Sequence, residues 1–479
     1  MYNMVGIGDY QGVPGFQGFG LSSEGEMDNL NKALQAGYTT DPLQFQGGSV
    51  FRVESLENSL KVVTYTDQHI KFWKKIPKMP AYNTVEQYAQ LQEYGSVGAG
   101  AFVGEGALPN TQDSTYARKA AFVKFLGTTR EVTHPMTLVN SAFGNVITRQ
   151  NQDGILWLLK QLELGLFWGD SKLAPGGNEG VEFDGINKLI DSANTIDLKG
   201  SYMEEKHINW GAQIILQNYG TPTDIFVPFE VMAEFSEQFF PKERVIVPTQ
   251  TGGYQAGVVV NKFMTHGGEV EFNPDIFLSK TRPMGSNASS PQAPAVGTLA
   301  AGALAGTDGD FAKSAPTGGV FKYAVTFCNK YGESVPSAAA TVTFASADVK
   351  KHVPLTITNP ASSAFPVEFV RVYRTEAGGS KYYEIAKFAV TSSNASADTT
   401  WNDVNTTMPN SYTAFMGEMS PEVISFKQLA PMMKMDLATL GPVIRWMILL
   451  YGVPVIYAPR KWVRFTNIQA TIPGFLPAI

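Results

Sequence analysis

The sequence has little cysteine, little charge and no basic excess. Cys328 is the one cysteine among 479 residues, which excludes an intramolecular disulfide and a cysteine-rich metal site and leaves stability to packing and association. Charged residues are 17% of the chain, below the roughly 25% usual for soluble domains. Lysine and arginine total 37 against 43 acidic residues, a net charge of −6, so no global attraction draws the chain to nucleic acid or anionic lipid. The longest uncharged apolar stretch, residues 446–459, is broken by Gly452 and Pro454 and falls short of the about 20 residues of a membrane helix. Residues 1–20 have no basic start followed by an apolar run, so no signal peptide is expected.

Motifs for chemistry are absent as well. There is no phosphate-binding Gly-x-x-x-x-Gly-Lys-Ser/Thr loop, no His-Glu-x-x-His zinc helix and no Gly-x-Ser-x-Gly elbow. The five histidines, His69, His134, His207, His266 and His352, stand singly and do not suggest a metal pair. The run Gly98-Ala-Gly100-Ala-Phe-Val-Gly104 has one residue too many for a dinucleotide loop, and no helical pattern follows it. Glu204, Glu205 and Lys206, like Glu234 and Glu237, read as solvated helix faces, and Cys328 on a strand-like run reads as a buried, inert thiol. No catalytic residue, cofactor or metal is expected, and the chain is not read as an enzyme.

What the sequence does hold is glycine, 46 residues, with 12% aromatics and 44% hydrophobic residues. That balance describes a globular chain whose surface is partly covered by something else, copies of itself included. Residues 1–60 are a Gly-, Gln- and Asn-rich arm with one short helix expected at 26–36. Residues 84–127 carry the glycine-dense run around Gly98, Gly100 and Gly104 between polar flanks, which suits a long two-stranded excursion with a flexible tip. The periodicity of Ile155, Leu158, Leu159, Leu162 and Leu166 predicts a long helix over 145–167, with Asn145 as N-cap and Gly169 as stop. A short helix is expected at 186–192, and helices at 203–218 and 229–240 flank a strand at 223–227, an α/β unit over 200–284.

Residues 285–319 are almost wholly Ala, Gly, Ser, Pro and Thr and read as a linker that buries little. Short alternating runs then predict strands at 320–328, 339–344, 355–357, 367–374, 382–389 and 399–404, an antiparallel sandwich inserted over 320–413. Residues 414–479 return to the larger fold, with strands expected at 444–451, 455–457 and 463–468. Basic residues cluster with aromatics only at Lys71, Lys74 and Lys75 and at Arg460, Lys461 and Arg464, where they either contact nucleic acid or lie on a strand facing solvent or an acidic neighbour.

This order of parts resembles the HK97-like major capsid proteins of tailed bacteriophages. The resembling segments are Gly104-Glu-Gly-Ala-Leu-Pro109 with the run that follows to Arg130, the long helix, Phe183-Asp-Gly-Ile-Asn-Lys-Leu-Ile190, Asp224-Ile-Phe-Val-Pro228 and Leu450-Tyr-Gly-Val-Pro-Val-Ile-Tyr-Ala-Pro459. The stretch from Tyr323 to Ser337 and Val370-Arg-Val-Tyr-Arg374 look like a fibronectin type III or Ig-like domain. The resemblance implies an α+β fold with an N-terminal arm (1–60), an extended E-loop (84–127) and a peripheral domain (61–83 and 128–199) built on the long helix as spine. It also implies an axial domain (200–284), followed by the linker, the all-β insertion and the return.

The implied function is a major capsid protein that self-assembles into hexamers and pentamers of an icosahedral head around a dsDNA genome. Implied partners are the chain itself, a scaffolding protein, a portal, decoration proteins and non-specifically packaged dsDNA, with no membrane. The implied location is the virion, after assembly in the host bacterial cytoplasm. The E-loop tip residues Gly98, Gly100, Phe102, Gly104, Glu105 and Leu108 would make inter-subunit contacts, and Lys71, Lys74, Lys75, Arg460 and Lys461 would line the inner face. No residue here matches the Lys–Asn crosslink of some relatives. A long charged N-terminal scaffolding segment is missing, so a separate scaffolding protein or removal of a short piece is expected. Alternatives are a tail or baseplate protein, an encapsulin-like shell, or a carbohydrate-active enzyme with an accessory β domain, the last lacking a credible carboxylate pair. Most of residues 1–130 are expected to bury more area against other chains than against their own.

Overall fold

The computed structural model describes residues 64–95, 100–139, 144–239, 246–248, 254–256, 260–278, 284–438 and 441–470. The expected arm and Gly98 lie outside them. The chain divides into two compact units, one of residues 1–61 and 139–146 and one of residues 62–138 and 147–479. The second unit carries the sheets of the body.

Its first sheet has four strands in the order Lys78–Pro80, Ile424–Asp436, Val443–Ile456 and Lys124–Thr133. The long helix, Val146–Trp168, buries Gly154, Leu158, Leu162 and Leu166 in one stripe at a spacing of four, with Glu163 and Phe167 buried beside it. Gly154 lets the helix approach this sheet: a Cβ there would lie 2.6 Å from Ile448 Cδ1 and 3.3 Å from Arg130 Cγ. The two strands expected at 444–451 and 455–457 are one strand, and Pro454 does not break it. Past Gly452 that strand has lost its pairing with Lys124–Thr133. Opposite Pro454, Phe426 turns its N–H to Pro77 O at 2.8 Å, so proline's missing donor removes no ladder bond here.

The second sheet has six strands in the order Thr195–Asp197, Trp462–Ile468, Tyr412–Gly417, Asp224–Val227, Gly268–Pro274 and Lys262–Thr265. The amphipathic helices Glu205–Gln217 and Phe229–Phe239 bury Ile208, Ala212, Ile215, Val231 and Phe235 in one core with Ile225, Val270, Met416 and Phe465. Aromatic rings tie the long helix to this sheet: Phe167 lies 6.2 Å from Phe226 and stacks on Phe415 at 5.9 Å, while Phe72 sits 5.1 Å from Phe167 and 4.9 Å from Phe226.

Residues 298–403 form two antiparallel sheets that share one core. Three strands, Thr298–Ala301, Val353–Thr358 and Asp398–Asp403, face five, of which Gly318–Asn329 pairs with Ala340–Ala345, Phe369–Thr375 and Gly332–Glu333. The core holds Phe321, Val325, Phe327, Leu355, Ile357, Val370 and Val372. The linker expectation for 285–319 is corrected. Its small residues include a paired strand at Thr298–Ala301, and Phe311 is fully buried against Phe321 and Phe344 at ring distances of 5.4 and 4.3 Å. One phenylalanine in a low-complexity stretch suffices to anchor it, a feature that composition averages away. Arg374, fully buried beside Phe311, pairs with Asp403, which also accepts from Tyr323 Oη at 2.9 Å.

This β module rests on the body. Leu173 packs with Cys328 and Phe369, Gly176 N–H donates to Val390 O at 2.8 Å, Lys387 pairs with Glu182 at 3.0 Å and Lys313 with Asp197 at 3.0 Å. Burial pushes the Cys328 thiol up to about 12, so it stays protonated and unreactive.

The exit of the long helix is clasped by the 183–185 turn. Gly185 N–H donates to Gly169 O at 3.0 Å, and a Cβ on Gly169 would meet Phe183 O at 2.3 Å and Gly165 O at 2.6 Å. Gly169→Ala is expected to destabilise the protein by about 1–3 kcal/mol, read as a lower urea midpoint. Gly104→Ala, with nothing within 4 Å of its added carbon, is expected to change stability by less than about 0.5 kcal/mol.

Candidate assembly surface

The strands Val85–Glu93 and Thr115–Phe122 pair as an antiparallel hairpin that joins neither large sheet. Val123 N–H donates to Thr84 O at 2.9 Å and closes its base. Side chains alternate across a strand, and the register Val85↔Phe122, Gln87↔Ala120, Ala89↔Arg118, Leu91↔Tyr116 therefore sets these eight residues on one face. Six of the eight are apolar or aromatic, and the face lies open: Val85, Leu91, Tyr116 and Phe122 are all exposed.

The other face is anchored to the body. Tyr88 packs edge-on against Tyr457 at 5.2 Å, Gln90 donates to Tyr457 O, and Lys427 reaches Glu86 at 3.5 Å. Burial, with Tyr457 adding to it, raises the Tyr88 pKa, so its phenol stays neutral at ordinary pH. Beyond the paired residues the chain runs out to a tip where Tyr94, Phe102 and Leu108 are almost wholly exposed. Gly100, Gly104 and Glu105 share that loop and are exposed as well; Gly106 takes φ +81 in the turn beside them.

A second open apolar area covers the outer face of the first sheet. The register places Phe125 opposite Tyr451, Gly127 opposite Leu449, Met433 opposite Leu449 and Met435 opposite Met447. Phe125 and Tyr451 meet edge-on at 5.0 Å, and Leu449 lies across Gly127, 2.6 Å from where a Cβ would be. Phe125 and Met435 are exposed, and Met433, Met447, Leu449 and Tyr451 are half-buried. Sequence reasoning finds the tip but misses this face and the hairpin's Leu91, Tyr116 and Phe122. Alternation in 85–91 and 116–122 is the available signal for the hairpin. For the sheet face no local signal exists, because its residues come from three separated strands.

The expected basic clusters fold differently from a bare positive patch. Lys74 pairs with Asp67 at 2.7 Å, Lys75 with Asp224 at 2.7 Å and Glu271 at 2.9 Å, Arg460 with Asp191 at 3.4 Å and Lys461 with Glu418 at 3.4 Å. Lys71 gives its backbone N–H to Glu163 at 2.9 Å. Neutralised in this way, Lys74, Lys75, Arg460 and Lys461 offer a polyanion much less than their sequence clustering suggests. An open cleft of about 470 Å³ between residues 170–188 and 387–391 is rimmed by Lys172–Glu179, Lys188–Asp170 and the nearby Lys387–Glu182 pair, with Phe388 beside them. Among the described residues no group of three or more His, Cys, Asp or Glu is placed to hold a metal, and no helix is long and apolar enough to cross a membrane.

Solved structures similar to this chain include the capsid of a native GTA particle, at 8% identity and a TM-score of 0.46 over 92% of this chain and 100% of that one. A structure from Mycobacterium phage Cain matches at 9% identity and 0.44 over 89% and 98%, and the SrpI encapsulin of Synechococcus elongatus PCC 7942 at 8% and 0.41 over 87% and 94%. Relatives by sequence are nearer. The major capsid protein of Staphylococcus phage S25-3 is 30% identical over 453 residues, 92% of this chain and 95% of the relative. A putative major capsid protein of Enterococcus phage phiEF24C is 29% identical over 93% and 96%. The family model described as SU10 major capsid protein matches residues 36–314, more than half of the chain. With near full-length relatives among the major capsid proteins of phages, this chain belongs to the SU10 major capsid protein family.

Proposed function

We propose that this phage major capsid protein builds its shell by laying the 84–127 hairpin of each subunit, open face down, on a neighbouring copy, within an HK97-like plan. The observation that carries the reading is the eight-residue apolar-rich face of the hairpin, left uncovered by the subunit's own body while the opposite face is fastened to Tyr457 and Lys427. A two-stranded hairpin alone is marginal in water, and exposed contiguous apolar surface marks a contact with another molecule. Covering the side chains of Phe102 and Leu108 would contribute about 1.5–3 kcal/mol each, and a closed shell repeats that gain in every subunit. The outer face of the first sheet is the complementary apolar surface.

In this reading the subunits tile as hexamers and pentamers, the long helix is the spine of a peripheral domain, and the unit of residues 200–284 lies at capsomer centres. The β module is an Ig-like or fibronectin III-like insertion. Its hydrogen bonds and ion pairs with the body favour a fixed appendage over a tethered one. The role is structural, not enzymatic. Scaffolding protein, portal and decoration proteins are partners by analogy with the family resemblance, and packaged DNA is enclosed with little specific attraction, in keeping with the net charge of −6 and the paired basic residues.

Two experiments check this. Electron microscopy of the purified protein under assembly conditions is expected to show closed shells or capsomers; a monodisperse monomer throughout contradicts the proposal, and helical tubes favour a tail component. The double variant Phe102→Asp, Leu108→Asp, and separately deletion of residues 95–107, are expected to leave melting of the free subunit nearly unchanged while abolishing particles on size-exclusion chromatography. Normal particles from either would remove the hairpin from the assembly contact.

A further inference from the structure

Two fully buried carboxyl groups meet where the long helix, the segment entering the body and the end of the second sheet come together. Glu163 accepts the N–H groups of Lys71 at 2.9 Å and Phe72 at 2.6 Å on Oε1, and that of Trp73 at 2.9 Å on Oε2. It thereby caps the short Phe72–Lys75 helix from another element, an arrangement that favours the ionised carboxylate. Asp275, equally buried, gives its own N–H to Val227 O at 2.9 Å and accepts Phe277 N–H on Oδ1 at 2.8 Å. Its carboxyl meets that of Glu163, and its Oδ2 receives no hydrogen bond.

The charged neighbours do not neutralise the pair. From the entering segment, Lys74 is held by Asp67, and Lys75 by Asp224 and Glu271 of the second sheet. On the long helix, Lys160 stands over the Tyr65 ring at 5.2 Å, and that ring packs edge-on against Phe277 at 5.7 Å. The 276–278 turn carries no ionisable side chain. Two adjacent negative charges without a cation in a buried site cost far more than one protonated acid. The hydrogen-bond pattern says where the proton sits: Glu163 is saturated with donors, whereas Asp275 Oδ2 has none and is free to carry one.

We propose that Glu163 and Asp275 hold a single proton between them at neutral pH, and that this proton is a latch fastening the 70–76 segment and the 274–278 turn to the long helix. Release of the proton loosens the 70–76 segment from the long helix and the 274–278 turn. Burial and the neighbouring Glu163 charge push Asp275 well above the ordinary carboxylate range, and burial raises Glu163 as well. The folded protein therefore binds more protons than the unfolded chain above the ordinary carboxylate values. The stabilisation is fully present below those values and is lost as pH rises through the raised folded value.

The test uses the full chain and two readouts. Infrared spectra at neutral pH are expected to show the C=O band of a protonated carboxylic acid that disappears in Asp275→Asn and titrates away in the wild type on the alkaline side. Hydrogen exchange of residues 70–76 is expected to rise with pH beyond its intrinsic rate, by up to about tenfold per pH unit for one linked proton. In Asp275→Asn, whose amide donates to Glu163 at every pH, that excess is expected to vanish. A wild-type spectrum without the band, or an excess exchange slope unchanged by Asp275→Asn, overturns the latch. The wild-type titration decides the matter even where the variant folds poorly.

Discussion

The body of this subunit depends on its last strands. Residues 412–417 and 462–468 pair with each other inside the second sheet and join Asp224–Val227 to Thr195–Asp197, while residues 424–436 and 443–456 form the middle of the first sheet. Neither sheet closes until these last strands have been made, and the β module lies between the halves that must pair. Long-range pairing of this kind is slow and cooperative. The exit from the module is fastened to these strands, with Asn467 Nδ2 donating to Thr406 O at 3.0 Å and Asn467 Oδ1 accepting Met408 N–H at 2.8 Å. Asn467 itself takes φ +56 at an irregularity of the strand, a conformation that asparagine tolerates better than most residues.

Everything the body closes internally leaves the hairpin outside. Its two strands pair only with each other and its inner face is anchored, yet Val85, Leu91, Tyr116, Phe122 and the tip residues remain exposed. The expectation that residues 1–130 belong chiefly to neighbours therefore divides within the described residues. Ile70, Phe72, Ile76 and Ala81 are buried in the subunit's own core, whereas the stretch from Tyr82 to Phe122 carries the exposed apolar face. The low charged fraction of the sequence is thus resolved into particular places: the hairpin, the outer face of the first sheet, and a basic set already matched by carboxylates.

Legibility from sequence followed the range of the interactions. The long helix, read from Leu158, Leu162 and Leu166, lies within one residue of its expected bounds, and the strand at Tyr382–Ala389 coincides with its expectation, since both patterns are local. The strands Ile424–Asp436 and Tyr412–Gly417 carry no local pattern, because their residues become apolar faces only through partners far away in sequence. The helix expected at 186–192 is only Ile186–Leu189, cut short where Asp191 and Asn194 turn the chain into the second sheet. Phe311 shows the opposite failure, a single buried ring hidden by a composition that reads as linker. At the candidate surface the glycine-rich tip was legible and the hairpin's flat face was not, since it requires the register that sets Leu91 beside Tyr116. The Glu163–Asp275 contact joins residues over a hundred positions apart and carries no sequence signal.

The central claim is that the open face of the 84–127 hairpin is covered by another copy in the shell. The most direct measurement is hydrogen exchange of residues 84–122 in the free subunit and in assembled particles, with the long helix as internal reference. The account predicts strong additional protection of the hairpin and its 100–110 tip on assembly, with little change in the helix. Equal exchange of the hairpin in both states would contradict it.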